Sequence, residues 1–99
     1  MLTIDKKIED GKATLSPAGR IDTVTAPDLE KAVKDIIPEI TELTLDFEKV
    51  DYISSAGLRV LLSAEKAMSG KGGMTIVNVN CQIMEIFDIT GFSEFLTIG

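Results

Sequence analysis

Two adjacent serines, Ser54 and Ser55, stand just ahead of Ala56, Gly57 and an apolar run in the stretch VDYISSAGLRVLL, residues Val50 to Leu62. Serines at such a junction have three kinds of chemistry open to them. As a helix N-cap, a hydroxyl accepts from an otherwise unpaired backbone N–H and contributes on the order of 1 kcal/mol. As a phosphoacceptor, an exposed serine places its phosphate against free N–H groups and the positive end of the helix dipole. That modification adds about −1.5 to −2 charge without refolding anything. As a nucleophile, a serine needs a base, and the chain has no histidine. No Gly-x-Ser-x-Gly elbow surrounds the pair, and no lysine has a persuasive spacing for the task. Capping and phosphorylation both stay open on residue types alone, and they are compatible, since a cap serine can be modified.

The elements that must position these serines follow from hydrophobic periodicity. LTIDKKIE alternates and predicts a first strand, with the Asp10–Gly11 pair as a hairpin turn. KATLSPAGRI returns as a second strand, which Pro17 marks as an edge or bulged one. Thr25 and Asp28 have capping-box spacing around Pro27 at a helix start. Leu29, Ala32, Val33, Ile36 and Ile37 then form a core-facing stripe that ends at Pro38. TELTLDFEKV predicts the next strand, and Ala56 to about Ser69 the next helix. There Leu58, Leu61 and Met68 point inward, with Arg59, Ser63 and Lys66 on a polar stripe. MTIVNV is a further strand, Cys81–Asp88 a short helix closed by Gly91, and FSEFLTIG a helical turn and a last strand.

This order predicts a single α/β domain over residues 1–99, a mixed β-sheet of about five strands flanked by three to four helices. Strand–helix–strand units imply parallel neighbours, so the strand-to-helix loops emerge together at the carboxyl edge of the sheet. Asp22–Thr25, Asp51–Ser55 and Asn78–Asn80 are those loops. The serines are therefore expected beside Asp22.

Composition bounds the function. Of 99 residues, 44% are hydrophobic and 26% charged, with a formal net charge of −6. That balance describes a folded domain and disfavours nucleic acid and anionic membrane surfaces as direct partners. The charged, alternating N-terminus has no signal-peptide apolar run, and no stretch reaches the ~18 apolar residues of a spanning helix. A lone cysteine, Cys81, suits a reducing compartment. These features place the chain in the cytoplasm, without membrane insertion.

Other motifs are weaker. SGKGG fails the nucleotide-binding pattern, since Gly72 replaces the required Ser or Thr and the motif follows a helix. Asp46, Glu48 and Asp51 lack metal-site spacing, so neither a metal nor a cofactor is assigned. Cys81 reads as a small packing residue. Phe92, Phe95, Met84 and Ile89 read as cover for the sheet rather than an exposed docking patch.

LDFEKVDYISSAGLRVLLSAEKAM resembles the signature segment of the STAS domain of bacterial anti-sigma factor antagonists. LSPAGRIDTVTAPDLEKAV and GGMTIVNVNCQIMEIFDITGF resemble further parts of that family, so the likeness runs over nearly the whole chain. The resemblance implies a non-catalytic partner switch. Unphosphorylated, such a protein binds an anti-sigma factor that is also a serine kinase. Phosphorylation releases it, and a serine phosphatase resets it. Aligned on Gly57, the family's acceptor serine falls on Ser55, with Ser54 as the alternative. Ser54 stands where the best-known antagonists carry Asp, and Ala56 where many carry Ser or Thr. The family's loop aspartate falls on Asp22, implied to orient the serine hydroxyl or a loop donor and to repel a phosphate. The partner face so implied comprises Asp22, Thr23, Thr25, Ser54, Ser55, Ala56, Gly57, Leu58, Arg59, Ser63 and Lys66. The alternative is a constitutive STAS scaffold subunit of a lipid-transport or signalling complex, in which Ser55 only caps the helix.

Overall fold

The computed structural model describes residues 2–99. Alternating side chains build the first hairpin, β1 (Thr3–Glu9) and β2 (Lys12–Ile21), around Asp10 and Gly11. Both turn residues have positive φ, 52° and 78°, the backbone that favours an Asp–Gly pair in a two-residue hairpin loop. α1 (Ala26–Ile36) follows, and Pro38 falls in a 3-10 turn that ends it. β3 (Glu42–Asp46), β4 (Lys49–Ile53), α2 (Ser55–Met68), β5 (Met74–Val77), α3 (Cys81–Thr90) and β6 (Thr97–Ile98) complete the chain. The sheet has six strands, ordered β1-β2-β3-β5-β6, with β4 also paired to β2.

The predicted strand TELTLDFEKV is two strands. The chain kinks at Phe47–Glu48, where the Glu48 N–H donates to Asp46 Oδ1 at 3.0 Å and Val50 N donates to Phe47 O at 3.0 Å. Asn78 Nδ2 donates to the same Asp46 oxygen at 3.0 Å, so Asp46 organises the bend. β3 and β4 both run parallel to β2, Lys12–Leu15 pairing with β3 and Ala18–Ile21 with β4. Asp51 is thus inside β4, and the predicted Asp51–Ser55 loop shrinks to Ser54.

Pro17 does not lie on an edge strand, because β2 is paired on both sides. It sits at the seam between the β3 and β4 ladders, where its missing N–H leaves no gap, and the bulge falls later, between Gly19 and Arg20. Ala13, Leu15, Leu43, Leu45, Met74 and Ile76 point into one buried face. Their alternates Thr14, Ser16, Thr44 and Thr75 stay half-exposed, so the helices cover one side of the sheet. Leu29, Val33 and Ile36 of α1, Leu58, Leu61 and Met68 of α2, and Ile83 and Phe87 of α3 complete a single aliphatic core.

Candidate functional site

β2, β4 and β5 deliver three helix starts to the same edge of the sheet. Ile21 pairs with Ile53, and one residue later Ser54 N donates to Ile21 O at 2.8 Å. The twin serines and the Asp22 loop therefore leave neighbouring strands side by side, about 4.8 Å apart.

The Asp22–Thr25 loop is closed by its own polar groups. Asp22 Oδ1 accepts from the N–H of Val24 and of Thr25, each at 3.0 Å. Thr25 Oγ1 accepts from Asp22 N at 2.8 Å and donates to Arg20 O at 2.7 Å, with Asp22 Oδ1 at 3.2 Å. The predicted capping box does not form. The Thr25 hydroxyl turns back to β2 instead of bonding the first turn of α1, and Asp28 contributes only its position. Thr25 is 8% exposed. Chiefly the Thr25 N–H, then that of Val24, the Thr25 hydroxyl and Arg20, hold the Asp22 carboxyl below its ordinary range against partial desolvation. Arg20 Nε lies 3.9 Å from Asp22 Oδ2, and its guanidinium carbon lies 4.4 Å from the centre of the Tyr52 ring. Asp22 is therefore a loop organiser, and among the described residues its carboxylate accepts no hydrogen bond from either serine.

The start of α2 is built differently. Ser54 occupies the N-cap position in extended conformation, φ −95° and ψ 177°, but its side chain makes no cap hydrogen bond. Its Oγ is buried and has no hydrogen-bond partner among the described residues. Ser55 is the first helical residue and is exposed, one position before the predicted start at Ala56. Gly57 permits this arrangement. A Cβ there would stand 2.6 Å from Ile21 Cγ2 and 2.6 Å from Ile53 Cγ1, so α2 approaches the sheet more closely than any side chain would allow. At the third start, Asn80 accepts from Ile83 N at 2.9 Å and donates to Val50 O at 3.0 Å. Its place before an apolar helix was the available signal for that cap.

Thr23, Ala56 and Arg59 share a shallow groove with Pro27 and Val60 between α1 and α2. Ser63 borders its continuation along the same two helices. Lys66 turns away to a third groove, against Phe92 and Phe95. Thr25, Gly57 and Leu58 are buried, so their contribution to any partner face is to hold the exposed residues in place. Two expectations outside the serines need correction. Cys81 is exposed at the first turn of α3 rather than packed. Phe95 and Ile89 are 63% and 78% exposed, so they do not cover the sheet, although Phe92 and Met84 do pack on the core. No group of three or more His, Cys, Asp or Glu side chains among the described residues is placed to hold a metal ion, and no helix there is long and apolar enough to cross a membrane.

Known proteins share the family and the fold of this chain. The STAS domain model matches residues 3–99. The chain is 26% identical over 99 residues to an anti-sigma-B factor antagonist of Bacillus subtilis strain 168, covering 99% of this chain and 91% of that one. The crystal structure of an anti-sigma factor antagonist from Mycobacterium paratuberculosis superposes with a TM-score of 0.90 at 25% identity, over 99% of this chain and 85% of that one. The Bacillus cell fate determinant SpoIIAA in its phosphorylated form shares the fold, with a TM-score of 0.76 at 13% identity over 98% of this chain and 91% of that one.

Proposed function

The chain belongs to the STAS domain family, and from that premise we propose that it is an anti-sigma factor antagonist switched by phosphorylation of Ser55. Unphosphorylated, this single domain binds an anti-sigma factor that is also a serine kinase. Phosphorylation at Ser55 releases it and a serine phosphatase restores it. The protein works in the cytoplasm as a binding module, and catalysis belongs to its partners. The observation that carries the choice of residue is the contrast between the serines. Ser55 is exposed at the first turn of α2, whereas the Ser54 hydroxyl is enclosed.

The physical effect of a phosphate is direct. At the first position of α2 it meets free N–H groups and the positive helix end, so the fold tolerates it. For a partner packed over Thr23, Ser55, Ala56 and Arg59 it is a new dianion on a chain already at −6, with the Asp22 loop alongside. Repulsion and desolvation then both oppose docking. Asp22 supports the switch by keeping its loop rigid beside the acceptor.

The test is peptide mass mapping after incubation with ATP and a soluble extract of the native source, on wild type, Ser54→Ala and Ser55→Ala. One phosphate is expected on the Ser54–Ser55 peptide of wild type and of Ser54→Ala, and none on Ser55→Ala. No modification by an extract whose kinases are demonstrably active would favour a constitutive scaffold. With a cognate anti-sigma factor in hand, Ser55→Ala should bind like wild type, and Ser55→Glu about tenfold or more weakly. Equal affinities for all three proteins would overturn the switch.

A further inference from the structure

We propose that the C-terminal half of α2 and the Phe92–Phe95 turn form a second docking site, which takes a basic amphipathic segment of a partner protein. The groove has a volume of about 430 Å³ and is lined by Leu62, Glu65, Lys66, Ser69, Phe92 and Phe95. Ten residues of helix put Glu65 about 15 Å from Ser55, so a segment seated here does not cover the serine. The proposal is independent of the phosphoswitch.

Three observations define the occupant. First, the walls are apolar and open. Phe92 and Phe95 stand edge to face with ring centres 6.5 Å apart, and Phe95 remains 63% exposed. A large exposed aromatic beside a concave apolar surface is the anchor geometry of a helix-in-groove contact. Second, Glu65 lines this groove, and its Oε2 is enclosed without a hydrogen-bond partner among the described residues. An enclosed carboxylate oxygen without a donor gains a charge-assisted bond when its side chain turns out to meet a Lys or Arg. Third, the whole chain carries a net charge of −6, which attracts a basic segment and repels an acidic one. Lys66 on the rim is exposed, makes no ion pair among the described residues, and opposes an incoming cation. A partner segment therefore sets its apolar side chain between Leu62 and Phe95 and its cation on Glu65, with Lys66 displaced toward solvent.

The experiment uses the intact chain and a fluorescein-labelled 16-residue helical peptide with leucines at i, i+3, i+4 and i+7 and arginines flanking them. A twin peptide carries glutamate in place of arginine. Fluorescence anisotropy should show the arginine peptide binding about tenfold more tightly than its twin. Phe95→Ala and Glu65→Gln should each weaken the arginine peptide by about tenfold, and Lys66→Gln should tighten it by about twofold. Thermal unfolding of each variant checks that the fold is intact, and Glu65→Gln preserves shape if Phe95→Ala does not. Equal binding of both peptides, tighter binding of the glutamate twin, or affinities indifferent to Phe95 and Glu65 would each overturn the site. So would concentration-dependent dimers in sedimentation that Phe95→Ala abolishes, because a second copy would then be the occupant.

Discussion

Two helices begin side by side at the carboxyl edge of this sheet, and they are anchored by opposite means. α1 is held by polar groups: the Asp22 carboxylate and the Thr25 hydroxyl close their loop against the backbone of Arg20, Asp22, Val24 and Thr25. α2 is held by packing and main chain, with Gly57 pressed between Ile21 and Ile53, and Ser54 N on Ile21 O. Because contact and backbone alone fix the start of α2, neither serine side chain is required for it. One hydroxyl is enclosed and idle, and the next residue is exposed. The difference shows how a fold keeps a modifiable group at a rigid helix start: it anchors the helix by other means and surrounds it with a loop whose polar groups are already satisfied.

The largest test of this contrast is Gly57→Val. Its side chain has no room against Ile21 and Ile53, so the variant should lose about 3 kcal/mol in urea unfolding through overpacking. An unchanged midpoint would mean that α2 is not held by close approach. Next comes Thr25→Val, which preserves shape but strips the Arg20 carbonyl and Asp22 N–H of their partner. A loss of about 2 kcal/mol is expected by the same measurement. Ser54→Ala sharpens the comparison from the other side. An N-cap serine replaced by alanine ordinarily costs about 1 kcal/mol. Here the hydroxyl has no partner to lose, so the midpoint should stay within about 0.5 kcal/mol of wild type or rise slightly. A clear loss would show that the hydroxyl caps α2 in solution.

The smallest effect is in pH. The Asp22 carboxyl is lowered in the folded state from an ordinary value of 3.8, first by the Thr25 N–H. A depressed folded value means that the unfolded chain takes up the proton first as pH falls. The stabilisation is therefore fully present above the ordinary value and is lost as pH drops through the folded one. Asp22→Asn should remove this part of the acid-limb slope when urea midpoints are measured between roughly pH 5 and pH 2. Because the group is exposed to solvent screening, the change in slope should be small. A slope identical to wild type would remove the carboxylate's charge from the account of the α1 loop.

Much of this was legible in the chain. The Asp10–Gly11 hairpin, the stripes of α1 and α2, Gly91 closing α3, and the convergence of Asp22 with the serines all follow from short-range pattern plus the handedness of parallel crossovers. What the pattern missed has a common cause. TELTLDFEKV reads as one strand because Leu43, Leu45 and Phe47 alternate with no Gly or Pro to break the run, while the bend after Phe47 ties Asp46 to the Glu48 N–H and to Asn78, 32 residues away on another loop. Thr25 and Asp28 have capping-box spacing, but the Thr25 hydroxyl is taken by Arg20 O on the strand behind it. Pro17 is tolerated inside a paired strand only because β2 changes partner there. Phe95 looks like core by residue type, and its exposure follows from where the 3-10 turn after Gly91 sets it.

By itself the sequence determined the element types, the side of each helix that enters the core, and the chemistry available at the α2 start, because these depend on residues within a few positions of one another. Only the tertiary structure decided which of two chemically identical hydroxyls is enclosed and which is exposed. That distinction arises where β2, β4 and α2 meet, through the close approach of Gly57 to Ile21 and Ile53, and spacing along the chain carries no record of it.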